Sequence, residues 1–272
     1  MLLIHEYTIL NNFNLFYILY LENIFIMIIT EELSEILGMF AADGNLQEGH
    51  ISIWGNIHED KKYYDEIVCP LFSRVFNKIV TAHEKRSNSV YGFYICDKKI
   101  INIFKEFGFT KRKTESVRAP KEVLLSNDKK IISAFIRGFT DCDGCLNFMK
   151  RCEKGYSKFK RKYHTYPRIF IKIVSKDMIE DLSYLLKKLD IKHTKSTYES
   201  KQANTKDPWV ITIRGKTEIN NWMDKIGFNN HSKNTKYRIW KKYGFCPTPS
   251  NLSQRELILK RQLNPKALYK VL

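Results

Sequence analysis

One nine-residue pattern occurs twice in the chain. Ile36-Leu37-Gly38-Met39-Phe40-Ala41-Ala42-Asp43-Gly44 and Ile136-Arg137-Gly138-Phe139-Thr140-Asp141-Cys142-Asp143-Gly144 stand 100 positions apart, from 43 to 143. Each copy reads as apolar residues, Gly, five positions and Gly, and each closes on Asp-Gly. Leu33, Ile36, Leu37, Phe40 and Ala41 recur at helical spacing, as do Ile131, Ile132, Phe135, Ile136 and Phe139. Gly44 and Gly144 read as helix stops in the left-handed conformation. Asp43 and Asp143 therefore fall at helix C-termini, where the dipole disfavours a carboxylate and a nearby cation is expected. Gly38 with Ala42, and Gly138 with Cys142, make small-residue strips that let two helix backbones approach. Helices packed that way bring Asp43 and Asp143 together, and a shared divalent metal relieves the repulsion of two close carboxylates.

The segments after each copy repeat in order. In the first half, 45–47 and 50–54 read as strands, 60–77 as a helix with Pro70 as an irregularity, 79–86 and 90–96 as a hairpin, and 98–107 as a helix stopped by Gly108. In the second half, 145–150 and 168–175 read as strands, 177–189 as a helix, 191–199 and 209–214 as a hairpin, and 217–226 as a helix stopped by Gly227. The fold class is α+β: two pseudo-twofold-related αββαββα halves, with the motif helices packed at the interface and antiparallel sheets forming a saddle. The halves span 30–109 and 127–240, joined by a polar, basic linker over 110–126. Asn127 or Asp128 caps the second motif helix. A tail over 241–272 holds a helix over 253–262 and packs on the second half.

Residues 1–29 contain neither Lys nor Arg and only Glu6 and Glu22 as acids. The basic opening of a signal peptide is missing. Asn14, Glu22 and Asn23 interrupt the apolar run that a membrane helix needs. The segment reads as an N-terminal extension outside the two-half fold, with docking on that fold as a helix, an early start codon and a membrane anchor as the readings left open.

A net charge of +17 points to a polyanionic partner, and 43% hydrophobic residues suffice for a buried core. The six cysteines show no secreted framework and read as reduced thiols. Cys142, Cys145 and Cys152 lack the fourth ligand of a zinc site. A calcium loop at Asp141 to Gly144 has its Gly too early and no closing Glu.

The paired motifs resemble the LAGLIDADG homing endonucleases in the single-chain form, over roughly residues 31–240. The resemblance implies that Asp43 and Asp143 are catalytic and hold Mg²⁺ or Mn²⁺, with Gly44 and Gly144 in the metal set. One departure is Ala41, where the family often has a first Asp that the second copy keeps as Asp141. Many family members also place a lysine after the final helix of each half; by residue order these are Lys113 and Lys233, with Lys111 and Lys236 as rivals. Such a lysine stabilises charge on the phosphate or helps position the water.

Sheets covered on one face by helices leave the other face open. Arg168, Phe170 and Lys172 alternate with Ile169, Ile171 and Ile173, so the basic set faces outward. Asn45, Gln47, His50, Ser52 and Trp54 hold the corresponding positions in the first half, and Asn147 and Met149 in the second. From Lys150 to Lys172 inclusive the chain carries nine Lys or Arg against one acid, Glu153, interleaved with aromatics. Arg151, Lys158, Lys160 and Arg161 on this stretch read as a phosphate-contacting strand extension. The expected function is site-specific double-strand DNA cleavage by a monomer, with no stable protein partner and with intron RNA as a second candidate partner. The expected location is intracellular, in a prokaryotic nucleoid or cytoplasm or an organelle matrix. A non-cleaving nucleic-acid binder, such as an intron maturase or a transcription regulator, is the alternative.

Overall fold

The computed structural model describes residues 18–21, 24–27, 29–85, 89–111, 116–150, 161–197 and 207–269. The first described elements are strands β1 (Ile18–Leu21) and β2 (Ile24–Met27), which pair with each other antiparallel. This part of the extension is an antiparallel strand pair, not the docked helix the sequence suggests. Its Ile, Phe and Tyr residues suit an extended backbone as well as a helical one. No helix among the described residues is long and apolar enough to cross a membrane.

The first half runs α1 (Glu31–Asp43), β3 (Gly44–Leu46), β4 (Ile51–Asn56), α2 (Ile57–Tyr63), a π-turn (Tyr64–Val68), α3 (Cys69–Phe76), β5 (His83–Glu84), β6 (Val90–Ile95) and α4 (Lys98–Glu106). The expected helix over 60–77 is thus one run from Ile57 to Phe76. It widens into a π-turn just before Pro70, whose missing N–H cannot serve an α-helical ladder. Next come α5 (Lys121–Leu125), in the linker, and the second half: α6 (Lys129–Asp143), β7 (Gly144–Met149), β8 (Tyr166–Ile173), α7 (Lys176–Lys188), β9 (Thr194–Thr197), β10 (Trp209–Arg214) and α8 (Lys216–Lys225). The chain ends with α9 (His231–Tyr243), α10 (Leu252–Leu259) and a 3₁₀ turn at Ala267–Tyr269.

Both halves have the αββαββα order, and their antiparallel sheets share one topology. The orders are β3-β4-β6-β5 and β7-β8-β10-β9. Apolar residues of each strand turn inward: Ile51, Ile53 and Phe93 in the first sheet, and Ile169, Ile171, Ile211 and Ile213 in the second, are all buried. In the first half, Phe40, Phe104 and Phe109 pack ring on ring beneath the sheet.

The motif helices form the seam. A Cβ on Gly38 would lie 2.1 Å from the Phe135 carbonyl oxygen, and a Cβ on Gly138 would lie 2.1 Å from that of Glu35. The two contacts are related by the pseudo-twofold, and the equal offsets of Ser34 with Ile131 and Gly38 with Phe135 show that α1 and α6 run parallel and cross at their glycines. The Ser34 hydroxyl donates to the Ile131 carbonyl at 2.8 Å at the N-terminal end of the same seam. Thr30 caps α1 by accepting from the Leu33 amide, and Asp128 caps α6 by accepting from Lys130.

The helix-ending glycines differ from the expectation. Gly44 (φ −70°) and Gly144 (φ −84°) are extended, not left-handed. Space selects glycine there, because a Cβ would lie 2.2 Å from a Phe40 ring carbon at Gly44 and 2.2 Å from the Thr140 methyl at Gly144. The left-handed stops are instead Gly108 (φ 86°) and Gly227 (φ 73°), which close α4 and α8.

The linker is less free than its polarity suggests. Val117, Ala119 and Val123 are buried, and Arg118 pairs with Asp181 of α7 at 2.8 Å. The tail packs on both halves. Arg255 of α10 donates to the Thr235 hydroxyl of α9 at 3.1 Å, and Lys62 of α2 pairs with Glu256 of α10 at 2.8 Å.

Candidate metal centre and nucleic-acid interface

Because α1 and α6 are parallel and cross in register, Asp43 and Asp143 leave the seam at the same end. Asp43 is half-buried and Asp143 exposed. Cys142 records both charges: burial first, then the Asp43 carboxylate, push its thiol well above the usual value, and Asp143 adds to the effect. Neither helix has a basic residue in its last turn. The cation expected there comes from α9 instead, where buried Lys233 donates its Nζ to the Asp141 carbonyl, two residues before Asp143.

Asp141 is placed differently from Asp143. It is buried, and its Oδ2 accepts from the amides of Asn229 (2.7 Å) and Asn230 (3.1 Å). Burial, partly offset by Lys233, raises its carboxyl to about 7. Asn230 caps α9 by accepting from the Ser232 amide at 2.9 Å and gives its side-chain N–H to the Asp141 carbonyl. Asp141 thus anchors the segment that delivers Lys233. Ala41, its counterpart, has no carboxylate to do so.

Lys113 lies outside the described residues. Its rival Lys111 pairs with Glu48 at 3.3 Å. Lys236, one turn beyond Lys233, is held below the usual amine range by burial and then by the Arg255 charge.

Two carboxylates and the adjacent main chain at Gly44 and Gly144 offer hard oxygen donors. Among the described residues no group of three or more His, Cys, Asp or Glu could hold a metal ion. A cation at this end would therefore complete its shell from water and phosphate, the habit of Mg²⁺. The donor set fits that ion class.

The open faces of the sheets flank this end. In the first half Asn45 and Gln47 are exposed and bonded to each other at 3.2 Å. Asn45, Ser52 and Tyr94 stand in one row across the sheet. Ser52 is 4% exposed, covered within that row, so the outward position expected for it does not reach solvent. His50, Tyr94, His83 and Trp54 form an edge-to-face chain with centroids 5.3–6.2 Å apart, and Lys85 lies over Trp54. Tyr94, His83 and Lys85 were not singled out in the sequence, although alternation around buried Phe93 and Ile95 turns Tyr94 outward.

In the second half Arg168 donates to Asn147 at 2.9 Å and stacks on Phe170, and Lys172 is exposed. Met149 faces Tyr166, over which Arg161 lies. The ladder continues past β7 and β8 through Arg161 N–H to Lys150 carbonyl, at 2.9 Å. Arg151, Lys158 and Lys160 lie outside the described residues. Tail residues brace the base of this extension: Tyr163 stacks on Phe245, and the His164 amide donates to the Tyr269 hydroxyl.

Two like-built halves, joined through glycine-crossed helices that end together in Asp-Gly, define a single-chain, two-motif architecture. Residues 130–227, the second half, match the family model described as the LAGLIDADG-like domain, and the first half repeats their element order and sheet topology. Over 207 residues, 75% of the chain, the protein is 27% identical to the replication factor C small subunit of Methanocaldococcus jannaschii. Over 118 residues, 43% of the chain, it is 29% identical to an A-type ATP synthase subunit of Pyrococcus abyssi. The matches span 10% and 11% of those two proteins. Similar solved structures include I-DmoI in complex with DNA and Mn (14% identity, TM-score 0.49, covering 72% of this chain and 96% of that one). The I-LtrWI LAGLIDADG homing endonuclease bound to target DNA has 12% identity and TM-score 0.48, over 89% and 95%. The N-terminal LAGLIDADG domain of DUF199/WhiA has 14% identity and TM-score 0.43, over 72% and 81%.

Proposed function

We propose that the protein is a site-specific homing endonuclease that cuts both strands of a long double-stranded DNA target using divalent metal ions. The observation that carries this reading is the glycine crossing of α1 and α6, which sends Asp43 and Asp143 out at one end between two open sheet faces. A net charge of +17 suits the partner, and phosphate contacts supply much of the affinity.

Asn45, Gln47 and Asn147 carry amides suited to adenine edges, while Arg161, Arg168 and Lys172 meet phosphates or guanine. Asp43 and Asp143, with the carbonyls of Gly44 and Gly144, would hold Mg²⁺ or Mn²⁺. When bound, such an ion would supply a nucleophilic water and charge stabilisation for the leaving oxygen. Lys233 stands behind Asp143 and offsets charge that builds on the phosphate, and Lys113 has the corresponding task in the first half. One chain holds both halves, so a monomer suffices, and the enzyme works inside the cell on its host's DNA.

Incubating the protein with a randomised double-stranded DNA library and Mg²⁺, then sequencing the cut ends, tests this reading. Enrichment of one long site, abolished by EDTA, is the expected result. Tight, salt-sensitive binding without cutting overturns it in favour of a non-cleaving binder on the same scaffold.

A further inference from the structure

Arg255 of α10 is fully buried, a costly place for a charge unless its N–H groups are all used. Its Nε donates to the Thr235 hydroxyl at 3.1 Å, and Nη2 donates to the Ser232 hydroxyl at 2.9 Å and to Glu59 Oε2. Its Nη1 donates to the Ser250 carbonyl. Ser232 in turn donates to Glu59 Oε2 at 2.5 Å. One guanidinium therefore joins three elements: α2 of the first half, α9 and the tail.

The helix held by this fork carries Lys233 and Lys236, each one residue beyond a fork contact. Among the described residues the fork has no counterpart in the first half, where the segment after α4 builds only the five-residue α5. Both α9 and α10 also lie beyond the family match, which ends at residue 227. The fork thus acts on one of two otherwise similar ends.

We propose that Arg255 is a positioning residue for one of the two cutting events: it fixes α9 so that its lysines face the Asp143 end. The inference rests on the endonuclease reading. Without the fork, the start of α9 stays attached through Asn230, which bonds Asp141 and Asp60 of α2, but Ser232 and Thr235 lose the contact that orients the turn carrying Lys233 and Lys236. Cutting of the strand served by α9 then slows while the other strand is cut as before.

The test uses the full chain and the target recovered from the library, with the two strands carrying different 5′ labels. Wild type, Arg255→Lys and Arg255→Met are compared, together with the pair Ser232→Ala and Thr235→Val in one chain. That double variant removes the α9 contacts and leaves every buried charge in place, so the test stands even if Arg255→Met does not fold. Melting temperature and target affinity without metal are read alongside. The expected result is a loss of about 10–100-fold on one strand, with the other within about threefold and binding preserved, so that nicked product accumulates. Equal slowing of both strands, or no slowing of either, overturns the inference. A wild type that binds but cuts neither strand overturns the endonuclease reading itself, and the inference with it.

Discussion

Gly38 and Phe135 meet so closely that any side chain on the glycine would enter the Phe135 carbonyl oxygen, 2.1 Å from the position of a Cβ. With its pseudo-twofold-related contact, Gly138 against Glu35, this fixes how far apart the two motif helices sit and so where Asp43 and Asp143 emerge. The clash is with backbone, which cannot rotate away as a side chain could. Gly38→Ala and Gly138→Ala should each destabilise the fold by about 3 kcal/mol, the upper end for overpacking a core. Urea unfolding reads this directly. Gly49→Ala is the control, since a Cβ there meets nothing within 4 Å and its stability should stay near that of the parent.

Across the same seam, Arg137 pairs with Glu35 at 2.6 Å, with Glu35 also accepting from the Asn229 side chain and Arg137 donating to the Ile226 carbonyl. Both partners are largely buried. Arg137→Met should cost about 3–5 kcal/mol, because it strands a buried carboxylate. Arg137→Met with Glu35→Leu should recover much of that loss in denaturant titrations, and a double variant no better than the single one would contradict this reading of the pair.

The pattern Gly-x₃-small followed by Asp-Gly, occurring twice, was enough to read the paired helices, and the segments after each copy gave the shared order of helices and strands. Alternation such as Ile169, Ile171 and Ile173 against Arg168, Phe170 and Lys172 was enough to turn the right residues outward. Long-range chemistry was not legible. Nothing local marks Asp141 as the anchor of Asn229 and Asn230, since that bond spans 88 residues. The helix α9 was missed because its residues are mostly polar and Lys-rich, and its capping Asn230 makes sense only with Asp141 beside it. The extended conformation of Gly44 and Gly144 was also hidden, because the obstacle to a side chain is the helix's own Phe40 or Thr140.

The Glu59–Arg255 contact makes part of the stability pH-dependent. Burial works to raise the Glu59 carboxyl, but the Ser232 hydroxyl and the Arg255 guanidinium outweigh it and hold the group below its ordinary value of 4.5. A depressed carboxyl contributes stability that is complete above the unfolded value and is lost as pH falls through the folded one. Wild type should therefore lose stability on acidification below pH 4.5, and Glu59→Gln should show a shallower loss in that window. Parallel acid profiles for the two proteins would contradict the assignment.

Phosphate and base contacts separate by their salt response. Lys172→Ala should weaken target binding and reduce the slope of log affinity against log salt by about 1. Asn45→Ala should leave the slope unchanged and relax selection at one base pair, worth about 1–3 kcal/mol. Fluorescence anisotropy across a salt series, with matched and single-mismatch targets, distinguishes them.

The most direct measurement is Mg²⁺-dependent cleavage of the selected target by wild type, Asp43→Asn and Asp143→Asn, with binding affinity measured on the same samples. If the two carboxylates hold the metal, both variants bind the target as wild type does, and double-strand cleavage is abolished in each. Cleavage at the wild-type rate by either variant, with binding intact, would contradict the assignment of the paired Asp-Gly ends as the metal centre.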